Sequence, residues 1–233
     1  MMKGAIRTYL AGAYAKLYPK DLFIAVAGSV GKSTCVASCA AVLSGKFNTI
    51  STKVNSDSSL NIPNTLLRIT PKTKKAVLEM GIEQKGDMDF YLSQVQPSMA
   101  IFTRIAYDHS DHLGSLDEII EEQGKLIRQL DSKGIAIVNF DDPNCKKLAK
   151  DCKGTVIFYG SDPQNCTVWA GNIKLEEFRT IFELNLGVER VKVNLQLCGA
   201  HLVYPVLAAA TLGVVNNIPL TKIKLALESV QQL

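Results

Sequence analysis

Leu22-Phe-Ile-Ala-Val-Ala27 runs directly into Gly28-Ser-Val-Gly-Lys-Ser-Thr34, and the reading of that junction decides the fold. The first six residues are apolar enough for a buried parallel strand, and Thr34 to Leu43 has the small and apolar residues of a packed helix. A glycine-rich turn between strand and helix is the setting of a nucleotide phosphate site. Gly28 and Gly31 let the backbone turn tightly, and the N–H groups from Gly28 through Ser29, Val30 and on to Thr34 converge on phosphate oxygens. Lys32 adds charge, and the Ser33 hydroxyl is a magnesium ligand. The commoner phosphate loop carries its first glycine where this chain has Val26, so the match is to the shorter G-x-x-G-K-[ST] form. The competing reading is an ordinary helix start capped by Ser29 or Ser33.

Bulk composition is that of a globular α/β protein. Of 233 residues, 47% are hydrophobic and 21% charged, enough for a full core in one large or two small domains. The net charge of +4 comes from scattered lysines, which argues against a nucleic-acid partner. The six cysteines, at 35, 39, 145, 152, 166 and 198, form no C-x-x-C pair, as expected of inert thiols in a reducing compartment. No apolar run is long enough to span a bilayer and no signal peptide is visible, so the expected location is cytoplasmic. Residues 3 to 18 carry Ile6, Tyr9, Leu10, Ala13, Tyr14 and Leu17 at helical spacing. The spacing predicts a helix packed against the domain, with a membrane-surface helix as the alternative.

Strand and helix patterns then alternate. Phe47 to Ser51 reads as a strand, the polar run Thr52 to Asn61 as a binding loop or a solvated connector, and Pro63 as the first turn of a helix. Lys75 to Gly81 is a strand that brings Glu79 to the carboxyl edge of a parallel sheet, where ligands bind. Helix Met88 to Val95, strand Ser98 to Thr103, helix Leu116 to Leu130 capped by Ser115, and strand Ile135 to Asn139 follow. From Gly154 to about residue 197 the texture changes to short runs, Val156 to Tyr159, Thr167 to Ile173, Arg179 to Leu186 and Arg190 to Leu195, read as a small antiparallel β-rich insertion. Helices Leu202 to Val215 and Pro219 to Val230 close the chain. The expected fold is α/β: a mostly parallel sheet of phosphate-loop type flanked by helices, with an N-terminal helix over 1–20 and the main domain over 21–233.

The ordered motifs resemble the central ATP-binding domain of the Mur ligase family, closest to its MurF-type members. Gly28 to Thr34 resembles the family's G-T-N-G-K-T-T loop, and Asn55 through Pro63 with Thr65-Leu-Leu67 resembles its N-x-N-N-x-x-G-x-P-x-T-L-L segment. Leu78-Glu-Met-Gly81 is similar to a strand end E-[LM]-G, His109 with Gly114-Ser115 to H-x-x-x-x-G-S, Asn139-Phe-Asp-Asp142 to N-A-D-D, and Gly199-Ala-His201 to the start of G-R-H-N. The resemblance implies an ATP-dependent, ADP-forming ligase: a substrate carboxylate is phosphorylated, and an amine attacks the acyl phosphate. It implies Lys32, Glu79 and His109 as catalytic residues, with Ser33, Glu79 and His109 toward Mg2+. It also implies the loop, Asn139 and His201 on ATP, and Asn55, Asp57 and Ser58 toward a cell-wall peptide precursor. Against these stand plainer roles: Glu79 as an exposed strand-end charge, His109 and His112 as loop histidines, and Asp141 and Asp142 as turn formers before Pro143.

Three departures from the family pattern bear on function. Gln123 stands where the family often has a carbamylated lysine that bridges metals, and Lys125, two residues on, points elsewhere on a helix. Leu202 and Pro205 stand where family asparagines recognise adenine. The family's N-terminal and C-terminal domains are absent, so the expected partner is a separate C-terminal ligase domain or subunit. The alternative function is a nucleotide-binding scaffold or regulator that has lost ligation. No N-K-x-D motif supports a GTPase.

Overall fold

In the computed structural model, which describes residues 2–53, 58–107 and 113–230, the expected strand is β1 (Phe23–Ala27) and the helix after the glycine turn is α2 (Lys32–Ser44). Helix α1 (Met2–Ala15) precedes them. Then come β2 (Thr49–Ser51), α3 (Ser58–Leu66), β3 (Lys75–Glu79), α4 (Asp87–Gln94), β4 (Met99–Phe102), α5 (Leu116–Gln129) and β5 (Ile135–Asn139). A short α6 (Pro143–Ala149), strands β6 (Thr155–Gly160), β7 (Val168–Glu176), β8 (Arg179–Leu186) and β9 (Glu189–Leu195), and helices α7 (Val203–Val215) and α8 (Leu220–Glu228) complete the order.

All these strands share one sheet, ordered β2-β3-β1-β4-β5-β6-β7-β8-β9. β1 is buried on both faces, and its side chains divide by alternation. Phe23, Ala25 and Ala27 enter the core under α1, α3, α4, α5 and α6, while Ile24 and Val26 enter the core under α2, α7 and α8. On the first face Ala25, Ala100 and Ala136 lie in register across β1, β4 and β5. On the second face Val26, Ile101 and Ile137 form the matching row. Branched side chains there meet small ones on α2 and α7, such as Cys35, Cys39 and Ala208 to Ala210. Volume is thus balanced across the interface in the way close-packed cores require.

The sheet corrects one expectation. Thr155–Gly160, read as part of an antiparallel insertion, is parallel to β5, and β7 begins parallel to β6. Only β7, β8 and β9 pair antiparallel, and they extend the main sheet. The far edge, β9, is covered in part from α8: the Asn194 N–H donates to Glu228 Oε1 at 2.9 Å, and Lys224 holds the other carboxylate oxygen at 2.6 Å.

Two smaller corrections concern helices. Pro63 lies inside α3 rather than in its first turn, because the helix starts at Ser58. Asn61, expected in a loop, is helical and clasps Lys53 from both sides, accepting its N–H at 3.1 Å and donating to its carbonyl at 2.9 Å. Helix α1 does pack on α3 and α4. Its contact seam is made of Ala11, Gly12, Ala15 and Tyr14, whereas Tyr9 and Leu17 are each 77% exposed. The reason is close approach: a Cβ on Gly12 would stand 3.3 Å from the Gln94 Cα, a separation that larger side chains forbid.

Candidate active site

The connection from β1 runs past β3 to β2, whereas that from β3 runs back past β1 to β4, so connections diverge beside β1 and open a crevice at its carboxyl end. The glycine turn fills that crevice. Gly28 and Gly31 take φ values of 127° and 82°, which side-chain-bearing residues rarely adopt. α2 starts immediately after Gly31, so its first-turn N–H groups, free of intrahelical partners, face the crevice.

The β3 wall carries a carboxylate that meets the start of α2. Glu79 ends β3, and its N–H donates to the buried Thr52 hydroxyl at 3.0 Å. The Ser33 hydroxyl meets both Glu79 carboxylate oxygens at 3.1 and 3.0 Å. A hydroxyl and a carboxylate in contact are hard oxygen donors of the kind magnesium takes together with phosphate oxygens and water, so these residues fit that ion. Lys32 runs over Gly81, where a Cβ would come within 3.0 Å of its Cε, and its ammonium donates to the Ser29 carbonyl at 3.1 Å. Gly81 therefore leaves the lysine its path. Among the described residues no group of three or more His, Cys, Asp or Glu converges on a metal position.

The β4 wall is a strap, residues 103–106. The Thr103 hydroxyl donates to the Val30 carbonyl at 2.7 Å, Ser29 N–H donates to the Arg104 carbonyl at 2.6 Å, and the Ser29 hydroxyl exchanges bonds with Ala106 at 2.9 and 3.1 Å. Behind the strap, Asn139 Nδ2 donates to the Thr103 carbonyl at 2.7 Å and Ile105 N–H donates to Asp142 Oδ2 at 2.5 Å. Asp142 also caps α6 by accepting from Asn144 N–H at 3.0 Å. Burial, and then this carboxylate, push the Cys145 thiol well above its ordinary value.

Beside the loop lies a cavity of about 310 Å3 lined by Val30, Gly31, Arg104, Asp141, His201 and Tyr204 among others. Burial first, then the nearby Asp141 carboxylate, raise the Tyr204 phenol above its ordinary value. Pro205 packs on Gly31, whose Cβ would stand 2.7 Å from the proline Cγ.

The structure brings Gly28, Ser29, Val30, Gly31, Lys32, Ser33, Thr34 and Glu79 together, with His201 on the rim of the adjoining cavity. Asn139 lines that cavity, but its amide is committed to Thr103 and Asp141, the latter through an N–H at 3.0 Å. Ser58 opens α3. His109, Asn55 and Asp57 lie outside the described residues, as does His112. Asp141 and Asp142, weighed as turn formers, do lie in the turn before α6; Asp141 also lines the cavity and accepts the Ser161 N–H at 2.8 Å, and Asp142 accepts from the strap. Gln123 is fully buried on α5, and among the described residues neither its Oε1 nor its Nε2 finds a partner. Sequence reading missed Thr103, Arg104 and Tyr204. Only the nearness of Tyr204 to His201 was a usable signal.

Comparison with known proteins agrees with this geometry. Residues 26–213 match the model of the Mur ligase middle domain. The chain belongs to the Mur ligase family. The UDP-N-acetylmuramoyl-tripeptide–D-alanyl-D-alanine ligases of Buchnera aphidicola and Escherichia coli are 31% and 30% identical to it over 206 and 209 residues. Those alignments cover 88% and 89% of this chain but 45% and 46% of the relatives. MurF from Acinetobacter baumannii superposes with a TM-score of 0.89 at 25% identity, over 99% of this chain and 50% of that one. This Mur ligase domain therefore spans about half the length of the proteins it matches.

Proposed function

We propose that this chain is the nucleotide-binding core of a Mur-type ligase that joins a carboxylate to an amine, with peptidoglycan-type peptide precursors as substrates and ATP as phosphoryl donor. The observation that carries the reading is the contact of Ser33 with Glu79 beside Lys32 at the start of α2. The relatives named as ligases support the substrate class.

In this reading the first-turn N–H groups of α2 and the Lys32 ammonium bind the β- and γ-phosphates and neutralise charge that develops during transfer. Ser33 and Glu79 would hold magnesium, which would supply positive charge against the phosphates. A substrate carboxylate oxygen attacks the γ-phosphorus, and the bond to ADP breaks. The amine then attacks the acyl carbon, phosphate departs and the amine loses a proton, leaving an amide. The cavity beside Gly31 takes the nucleoside, with the Tyr204–Asp141 pair as its polar wall. The relatives are about twice as long, so the remaining parts of a ligase, on the same or a separate chain, complete the cleft. No helix among the described residues is long and apolar enough to cross a membrane, and all six cysteines are free, which suits a reducing cytoplasm.

The test is titration calorimetry with MgATP, followed by precursor-dependent phosphate release once the remaining domains are supplied. Binding that Lys32→Ala abolishes, together with release, supports the proposal. Absence of MgATP binding overturns it. Binding with no release under any pairing favours a nucleotide-binding scaffold, a reading to which the unpartnered Gln123 and the Gly31–Pro205 contact lend weight.

A further inference from the structure

We propose that the Thr103 hydroxyl is a positioning group for phosphate binding: by holding the Val30 carbonyl it turns the Gly31 N–H toward the nucleotide's phosphates. The inference rests on the reading of Gly28 to Thr34 as an ATP phosphate site.

In a trans peptide the C=O and the following N–H point in opposite directions across one rigid plane. Thr103 Oγ1 lies 2.7 Å from the Val30 carbonyl and 3.2 Å from the Ala27 carbonyl, and the shorter bond directs the Gly31 N–H of the Val30 plane away from the strap. Gly31 is the N-cap of α2, so the direction of its N–H bears on the same anion as the helix N-terminus. The preceding plane is set in the same manner from the other side. The Ser29 carbonyl accepts from Lys32 at 3.1 Å, and the Val30 N–H points the opposite way. The Ser29 N–H is spent on Arg104, so this amide belongs to the strap rather than to the phosphate.

Thr103 is suited to hold a plane still. It is 1% exposed, and its N–H donates to the Ala27 carbonyl at 3.0 Å. Its own carbonyl accepts from Asn139 at 2.7 Å and from the Tyr159 hydroxyl at 3.3 Å. A Cβ on Gly28 would come within 2.3 Å of Thr103 Oγ1, so the loop and the hydroxyl are fitted to one another. Asn139 thus acts on the nucleotide through Thr103.

Thr103→Val removes the hydroxyl and keeps the shape, whereas Thr103→Ser keeps the hydroxyl. By calorimetry the valine variant is expected to bind MgATP about tenfold more weakly, the size of one lost hydrogen bond, and the serine variant within about twofold of the native chain. The thermal midpoint without nucleotide checks folding in each. Should the valine variant not fold, 15N NMR of the native chain carries the test, since the Gly31 amide must shift on saturation with MgATP. Native-like MgATP affinity in Thr103→Val, or an unmoved Gly31 amide at saturation, overturns the role of Thr103 alone. A native chain that binds no MgATP overturns the proposed function as well.

Discussion

The two walls of the crevice beyond β1 are built differently. On the β3 side, Glu79 is half-buried and its carboxylate contacts a single hydroxyl, an arrangement that a cation can enter with little disturbance. On the β4 side, residues 103–106 are bonded in front to the loop and behind to β5 and α6. One wall presents ionic groups and the other is bonded on both sides. Changes on the first should cost ligand binding at constant stability, and changes deep behind the second should cost stability.

The largest expected effect tests the first half of that contrast. Lys32→Ala should weaken MgATP binding by at least about 100-fold, near 2.7 kcal/mol, with little change in the unliganded thermal midpoint. A large fall in midpoint would blur the two walls into one. Behind the strap, Asp142→Ala strips the Ile105 and Asn144 N–H groups of their acceptor and should destabilise the chain by about 2 kcal/mol in denaturant unfolding. An unchanged midpoint would break the contrast from the other side.

Gln123 sharpens the comparison because it fits neither wall. Its buried amide is unpartnered, so Gln123→Leu should raise stability by about 1 kcal/mol and leave MgATP affinity unchanged. Weaker nucleotide binding in that variant would give the amide a ligand of its own. The smallest effect lies at the start of α5. Ser115→Ala should cost about 1 kcal/mol at neutral pH, since Ser115 and Glu118 form a reciprocal capping box. The Ser115 N–H, which the variant keeps, and the hydroxyl, which it loses, hold the Glu118 carboxyl below its ordinary value, so the hydroxyl's share is present above the unfolded carboxylate pKa. It is lost as pH falls through the lower folded value, and the gap between native and variant midpoints should narrow in acid.

What the sequence disclosed follows the same division. The junction at Gly28 was legible because an apolar run, two glycines and Lys32 each constrain the backbone or the charge locally. Glu79 was legible because a carboxylate that closes an apolar strand is too costly to bury unpaired and must emerge at the sheet's polar end. The direction of β6 was not, since a short apolar run carries no sign that distinguishes parallel from antiparallel pairing. Thr103 was hidden for another reason. A threonine ending a strand is ordinary by composition, and its importance arises only when Val30, far away in the chain, turns its carbonyl toward it. Helix α6 was overlooked because seven residues are too few for a period, although Asp142-Pro143 was a usable start signal. Gln123 was singled out as a departure from the family pattern, whereas its lack of a partner among the described residues is a fact of packing.

The sheet's outer margins govern how the chain behaves in crowded solution. β2 is three residues long, and β9 exposes Glu189, Arg190 and Lys192 along its length. Charges on a strand margin discourage the addition of a foreign strand, and Glu228 already occupies one backbone donor that such a strand would seek. Among the described residues the nine-stranded sheet thus ends on one short strand and one charged strand, features that disfavour strand addition.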